Sequence, residues 1–159
     1  MKSATHNLFS IGLMLFVVSF FGYPLIITVL LAIVATIFTN LLIDEIGHSS
    51  SEGVLRRTWV THSVITAPFW GAAAWALILM IPAALLGVFP PNLLLLAFYA
   101  SLGVLAGWSH LLLDSLTEGG VFAFDAKRRA IAHFAYDNRP LNLCFSVLGL
   151  VLLLAALFH

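Results

Sequence analysis

Five long apolar segments set the main limit on what this chain can fold into. They cover roughly residues 5–22, 25–43, 60–88, 93–116 and 141–158, and a helix needs about 20 apolar residues to cross a bilayer. The 159-residue chain is 62% hydrophobic and only 9% charged, whereas soluble domains are about 25% charged. We therefore predict an all-α integral membrane protein with about five transmembrane helices, forming a single transmembrane domain over residues 1–159.

The distribution of positive charge predicts the orientation of these helices. With five spans, the N-terminus, the 44–59 loop and the 117–140 segment lie on one side of the membrane. Because positively charged loops stay in the cytoplasm, we predict a multi-pass protein of the cell (inner) membrane with a cytoplasmic N-terminus and an external C-terminus. A formal net charge of zero gives no sign of a nucleic-acid partner. Every lysine and arginine lies on the predicted cytoplasmic side: Lys2, Arg56, Arg57, Lys127, Arg128, Arg129 and Arg139.

The segment between the fourth and fifth predicted helices is too polar to cross the membrane. Two short apolar runs, 121–124 and 130–136, flank a charged stretch at 125–129. This pattern favours a short cytoplasmic hairpin lying on the membrane. An amphipathic interfacial helix is the alternative.

Histidine and aspartate side chains recur at the predicted cytoplasmic ends of the helices. Side chains four residues apart lie on one face of a helix, about 5–6 Å apart at Cβ, and two Asp/His pairs have this spacing. Imidazole and carboxylate groups are ligands that proteins use for Zn²⁺, Mn²⁺ and Fe²⁺. We predict a site for one or two such divalent ions, formed by His6, Asp44, His48, His62, His110 and Asp114. A structural hydrogen-bond network or an intramembrane proton relay would use the same residue types.

Four short motifs carry a family resemblance, in order along the chain. They are "THNLFS" at 5–10, "LLIDEIGH" at 41–48, "RRTWVTHS" at 56–63 and "GWSHLLLDSLTEGGV" at 107–121. Together they resemble the YdjM-like family of membrane-bound proteins described as metal-dependent hydrolases. The resemblance implies the same set of metal ligands as the spacing does. The family's second motif commonly reads P-D-I-D-H, so its second acid has no counterpart here and His48 comes one residue later.

A hydrolase of this kind needs a base and a substrate site beside its metal ion. Glu45 and Glu118 are the candidate catalytic bases, because they adjoin the predicted ligands. A bound divalent ion lowers the pKa of its water to about 7 and favours attack on phosphorus or a carbonyl. Membrane lipid is the expected partner, and a phospholipid or isoprenoid phosphate ester the preferred substrate. The residues expected to bind its phosphate are Arg56, Arg57, Arg128 and Arg129.

Other functions remain compatible with the same residues. A non-catalytic metal-binding or metal-transporting membrane protein would use the same ligands, although the charge-free external turns argue against an exit path for an ion. A scaffold could bind a cytoplasmic partner through residues 117–140. A Ser/His/Asp hydrolase is disfavoured, because the sequence has no G-x-S-x-G motif.

Overall fold

A computed structural model describes residues 1–22, 25–51, 54–87 and 92–159, and it is mostly helical. Each predicted apolar segment corresponds to one helix in the described part of the chain, which confirms the helical architecture. The helices are α1 (Ser3–Ser19), α2 (Leu25–Gly47), α3 (Thr66–Leu85), α4 (Leu93–Ser115) and α5 (Arg139–Phe158).

Four of these helices are long and apolar enough to cross a membrane. They are α3, α4, α5 and the part of α2 from Val29 to Gly47. Helix α1 is also apolar but has 17 residues, which makes it shorter than the others. The described residues therefore contain four candidate spans and one shorter apolar helix.

The third helix begins later than predicted, at Thr66 instead of residue 60. Pro68 explains the difference. Proline has no backbone N–H and fits only into the first turn of a helix, so a helix that began at residue 60 would have placed it in the interior. Residues 59–65 instead form turns that carry His62.

Close glycine contacts determine how the helices pair. Helix α1 packs along α5 and α3 packs along α4, while α2 contacts α1, α3 and α4. A Cβ atom at Gly12 would overlap the backbone of Gly149, and one at Gly71 would overlap the backbone of Gly103. Small residues of this kind allow membrane helices to approach closely. The helix ends that carry the predicted metal ligands therefore lie together at one end of a tightly packed bundle.

Two small antiparallel sheets lie at this end. Strands β1 (His48–Ser51) and β2 (Val54–Arg57) follow α2, and the sequence did not predict them. Strands β3 (Val121–Phe122) and β4 (Arg128–Arg129) follow α4. The second sheet is a hairpin, as predicted for this segment instead of an interfacial helix, but its second strand lies at 128–129 and not in the predicted apolar run 130–136.

The β3–β4 hairpin is connected directly to the segment that precedes α3. The backbone N–H of Phe122 donates to the carbonyl of His62 at 2.8 Å, and Val64 donates to the carbonyl of Phe122 at 3.0 Å. The charged stretch predicted as the turn contributes β4, because Ala126 adopts a positive φ of 57° and closes the hairpin earlier. Asp125 supports this turn by accepting from the Lys127 N–H at 3.2 Å.

Candidate metal centre

Four of the predicted metal ligands come together at the end of the bundle. Asp44 lies in the last turn of α2, His62 in the turns before α3, and His110 and Asp114 one turn apart in α4. One potential ligand atom from each lies within 4.8 Å of all the others. The described residues thus form a buried cluster of two imidazoles and two carboxylates that could hold a metal ion.

The distances within this cluster match the spacing of ligands around one ion. Nε2 of His62 lies 3.6 Å from Oδ1 of Asp44 and 3.5 Å from Oδ2 of Asp114. Nε2 of His110 lies 3.4 Å and 3.3 Å from the same two oxygens. Ligand atoms that are each about 2.1 Å from a tetrahedral ion are about 3.4 Å apart. The four measured separations are therefore close to the edges of one coordination tetrahedron.

Three of the four ligand atoms are buried polar atoms with no hydrogen bond in the described part of the chain. They are Nε2 of His62, Nε2 of His110 and Oδ2 of Asp114. Leaving such a group unpaired costs about 1–3 kcal/mol, and here all three face the same space. A divalent cation would satisfy them together and would offset the charge of the carboxylates. The donor set therefore fits a metal ion.

The hydrogen bonds of His62 leave its Nε2 free to bind a metal. The hydroxyl of Thr61 donates to the carbonyl of Ile43 at 2.7 Å. Its oxygen also lies 3.0 Å from Nδ1 of His62. Since the hydroxyl has one hydrogen, Nδ1–H must be the donor in the second bond, and the lone pair is on Nε2. Burial lowers the pKa of His62 below its ordinary value, which keeps the ring in the neutral form that a ligand requires.

Hydrogen bonds to one oxygen of Asp114 leave its other oxygen for the cluster. Oδ1 accepts from Nη2 of Arg57 at 2.6 Å, from Nε2 of His6 at 3.1 Å and from the backbone nitrogen of Met1 at 2.9 Å. Arg57 is itself held by the carbonyl of Gly120, which accepts from its Nη1 at 3.0 Å. The carboxylate is therefore fixed with Oδ2 directed towards the imidazoles.

His6 and His48 were predicted as ligands, and the structure places both beside the cluster. The ring of His6 binds Oδ1 of Asp114 and stacks on His110 with centroids 4.2 Å apart. His48 is the first residue of β1, and its Nδ1 donates to the backbone carbonyl of Asp44 at 2.6 Å. That nitrogen lies 3.9 Å from the Asp44 carboxylate. Both histidines therefore contact a member of the cluster.

A cavity of about 1220 Å³ opens beside the cluster. Asp44 and Asp114 both contribute to its wall. Asp44 is the one member of the cluster with an accessible side chain, 29% exposed, while the other three are at most 1% exposed. Solvent or a ligand would therefore reach the cluster from the Asp44 side. The cationic wall residues are Lys2, Arg57 and Arg128.

The predicted catalytic bases and phosphate-binding arginines have different positions relative to this cavity. Glu118 lines it, whereas Glu45 is exposed on α2 and is not among the described residues of the wall. Arg129 pairs with Asp125 at 2.7 Å on the surface. Arg56 contributes its backbone to β2, and its side chain lies outside the described part of the chain.

Sequence reasoning missed two residues that support the cluster. Asn40 accepts a hydrogen bond from Nδ1 of His110 at 3.1 Å. Gly47 ends α2 where a Cβ atom would overlap the hydroxyl of Thr61 and the ring of His62. The sequence did contain a signal for Asn40: it lies four residues before Asp44 in an apolar helix, so the two side chains share one helix face. Nothing in the sequence indicated the contact at Gly47.

Apolar helices able to cross a membrane and a buried His/Asp cluster able to hold a metal ion define a helical, membrane-type protein with a candidate metal centre. Residues 1–113 match the model of a family described as proteins of unknown function, DUF1286, and the chain belongs to this family. The matched region contains Asp44, His62 and His110 and ends next to Asp114. No curated protein and no solved structure matches the chain.

Proposed function

We propose that this chain is a membrane-bound metal-dependent hydrolase of the YdjM-like type. Its metal ligands are Asp44, His62, His110 and Asp114. The observation that carries the proposal is the convergence of buried, unpartnered ligand atoms at separations suited to one ion. Two imidazoles and two carboxylates suit zinc, manganese or iron.

The arrangement beside the cavity supports hydrolysis. A divalent ion at the cluster would supply an acidic water and polarise the bond that is attacked. Glu118 lines the described cavity wall and is not one of the proposed ligands, so its carboxylate would accept a proton from the attacking water. The water oxygen would form a bond to phosphorus as Glu118 accepts one water proton, and the ester P–O bond would break. Glu118 would then give that proton to the departing alkoxide, which leaves as the alcohol, and the carboxylate is restored.

A lipid phosphate ester is the substrate class that this cavity suits best. Arg57 and Arg128 offer guanidinium groups on its wall, and guanidinium pairs favourably with phosphate. Arg57 already donates to Asp114, whereas Arg128 has no ion-pair partner within the described part of the chain. Phe124 in the hairpin turn and Ile131 just after β4 are 81% and 76% exposed. These exposed apolar side chains are suited to contact an acyl or isoprenoid chain.

The position of the site in the membrane is part of the proposal. All five helices cross the bilayer, the metal centre lies at its cytoplasmic boundary, and the C-terminus lies outside the inner membrane of the cell. The supporting observation is that the starts of α1 and α5 and the ends of α2 and α4 meet near the cluster. The positively charged segments adjoin these helix ends in the sequence.

Metal analysis combined with an activity screen tests the proposal. We expect purified protein in detergent to retain about one ion of Zn, Mn or Fe per chain. We also expect it to hydrolyse a phosphomonoester or phosphodiester lipid, and chelation should abolish the activity. Protein without bound metal that hydrolyses these lipids at full rate would contradict the metal centre. Retained metal without hydrolysis of any lipid ester would favour the non-catalytic metal-binding alternative.

A further inference from the structure

Two successive hydrogen bonds through the side chain of Asn40 connect α1 to the metal centre. Nδ2 of Asn40 on α2 donates to Oδ1 of Asn7 on α1 at 2.8 Å. Oδ1 of Asn40 lies 3.1 Å from Nδ1 of His110 on α4. Asn40 is 2% exposed and His110 is fully buried. Three helices are therefore joined through one asparagine side chain.

The orientation of the Asn7 and Asn40 amides sets which groups donate and which accept in these hydrogen bonds. Because the amide nitrogen of Asn40 is used towards Asn7, its carbonyl oxygen is the group that faces His110, and a carbonyl oxygen can only accept. Nδ1 of His110 must therefore carry a hydrogen. The neutral ring then has its lone pair on Nε2, the atom that faces Asp44 and Asp114 without a hydrogen bond.

The two imidazoles of the cluster are oriented by different means. His62 donates to the hydroxyl of Thr61, which lies next to it in the chain and is anchored on a backbone carbonyl. His110 depends on a side chain from another helix, held in turn by a third helix. The orientation of His110 is therefore the one that depends on how α1, α2 and α4 pack.

We propose that Asn40 is a positioning residue of the metal centre, supported by Asn7, and that it sets the tautomer and ring orientation of His110 for metal binding. The inference rests on the proposed metal centre. Partners that orient a ligating histidine typically change metal affinity by about 10–100-fold when they are replaced. Asn40 therefore contributes to metal affinity without touching the ion.

Variants of similar size separate this role from general packing. Asn40→Leu removes the acceptor, whereas Asn40→Asp keeps an oxygen that can accept from Nδ1–H. Asn142→Leu is the matched control, because Asn142 is a buried asparagine that accepts from the Thr5 hydroxyl at 2.8 Å and does not contact the cluster. Metal dissociation constants would be measured in detergent by competition with a chromogenic chelator. The midpoint of thermal unfolding would be measured with and without added Zn²⁺.

We expect Asn40→Leu to weaken Zn²⁺ binding by about 10–100-fold and to reduce the Zn²⁺-induced rise in the unfolding midpoint. Asn40→Asp should bind Zn²⁺ at least ten times more tightly than Asn40→Leu, and Asn142→Leu should bind it as the parent protein does. Should Asn40→Leu fail to fold, the ¹⁵N shift of His110 in Asn40→Asp decides, because Nδ1 must still be the protonated nitrogen.

Two outcomes overturn the proposal, and they are distinct. If the parent protein binds Zn²⁺ and Asn40→Leu binds it equally well, the positioning role is wrong while the metal centre stands. If the parent protein itself binds no metal ion, the metal centre and the role of Asn40 are both wrong.

Discussion

Nη2 of Arg57 lies 2.6 Å from Oδ1 of Asp114, in a pair whose side chains are 12% and 1% exposed. The sequence suggested Arg57 as a phosphate-binding residue, and the structure gives its guanidinium a contact within the protein. The pair uses the oxygen of Asp114 that faces away from the imidazoles. Arg57 therefore helps to determine which oxygen is available to a metal ion.

Replacing Arg57 should destabilise the protein even when no metal is present. Arg57→Met removes the nearer of two cationic groups at the buried carboxylate of Asp114, and the Met1 amino group, 2.9 Å from Oδ1, remains. Breaking a buried pair costs up to about 3–5 kcal/mol. The exposed Arg129–Asp125 pair provides the control, because an exposed pair contributes only about 0–1 kcal/mol. Unfolding midpoints of chelator-treated Arg57→Met and Arg129→Met would be compared. Equal losses in the two variants would contradict a structural role for the Arg57 pair.

Loss of a ligand from α4 should remove metal before it removes the fold. His110→Ala and Asp114→Asn each delete one of the clustered ligand atoms, so we expect metal content to fall far below one ion per chain. Leu112→Ala, on the same helix and 49% exposed, should keep its metal. Metal per chain and monodisperse elution in detergent would be measured together. If both variants keep metal at the parent ratio, the His110–Asp114 pair is only a structural contact.

Gly47→Ala should disturb the metal centre although alanine favours helices. The added Cβ would overlap Thr61 and His62, and overpacking of this kind costs about 1–3 kcal/mol. We expect weaker Zn²⁺ binding and a lower unfolding midpoint. Ile46→Ala, at a position that is 44% exposed, serves as the neighbouring control. Parent-like Zn²⁺ affinity in Gly47→Ala would show that the turn before α3 can shift without moving His62 from the cluster.

Replacement of Arg128 should affect the substrate and not the metal. Arg128 lines the cavity but cannot ligate a cation, so Arg128→Ala should retain metal and lower kcat/KM for an anionic lipid ester. The loss should be roughly tenfold, the value of one charge-assisted hydrogen bond. Arg129→Ala, which removes an arginine already paired with Asp125, should change kcat/KM by less. Identical kinetics for the parent protein and Arg128→Ala would exclude Arg128 from the substrate site.

The proposed five crossings would place the two ends of the chain on opposite sides of the membrane. A reporter fused after His159 should be external, while one inserted after Ala126, in the exposed β3–β4 turn, should be cytoplasmic. Paired alkaline phosphatase and green fluorescent protein fusions at both positions would measure this. Both reporters on the same side would exclude the five-span arrangement.

The sequence predicted the helices well, because hydropathy over about 20 residues is a strong signal. It also indicated that the candidate ligands lie at one end of the bundle, since that requires only the number and direction of the helices. The two apolar runs around a charged stretch predicted a hairpin, but they misplaced its second strand, which is Arg128–Arg129 in the charged stretch. The late start of α3 could have been predicted from Pro68.

The position of each residue around the bundle axis could not be predicted. Four-residue spacing suggested that Asp44 and His48 share a helix face, but α2 ends at Gly47 and His48 belongs to β1. His6 lies at the predicted end of the bundle, but it is not one of the four clustered residues. Its ring instead contacts Oδ1 of Asp114 and stacks on His110. The rotation of α1 depends on its packing against α5 through Gly12 and Gly149, a long-range contact that no local pattern reveals.

The pairing of α1 with α5 has a consequence for biosynthesis. Chains emerge from the ribosome with the N-terminus first, so α1 is made before the other four described helices, and its principal packing partner, α5, is made after them. Until α5 is inserted, Gly12 has no Gly149 to pack against, and the rotation that brings Asn7 to Asn40 is not fixed. The proposed ligand residues are all synthesised by residue 114, but their final geometry awaits the synthesis and insertion of α5.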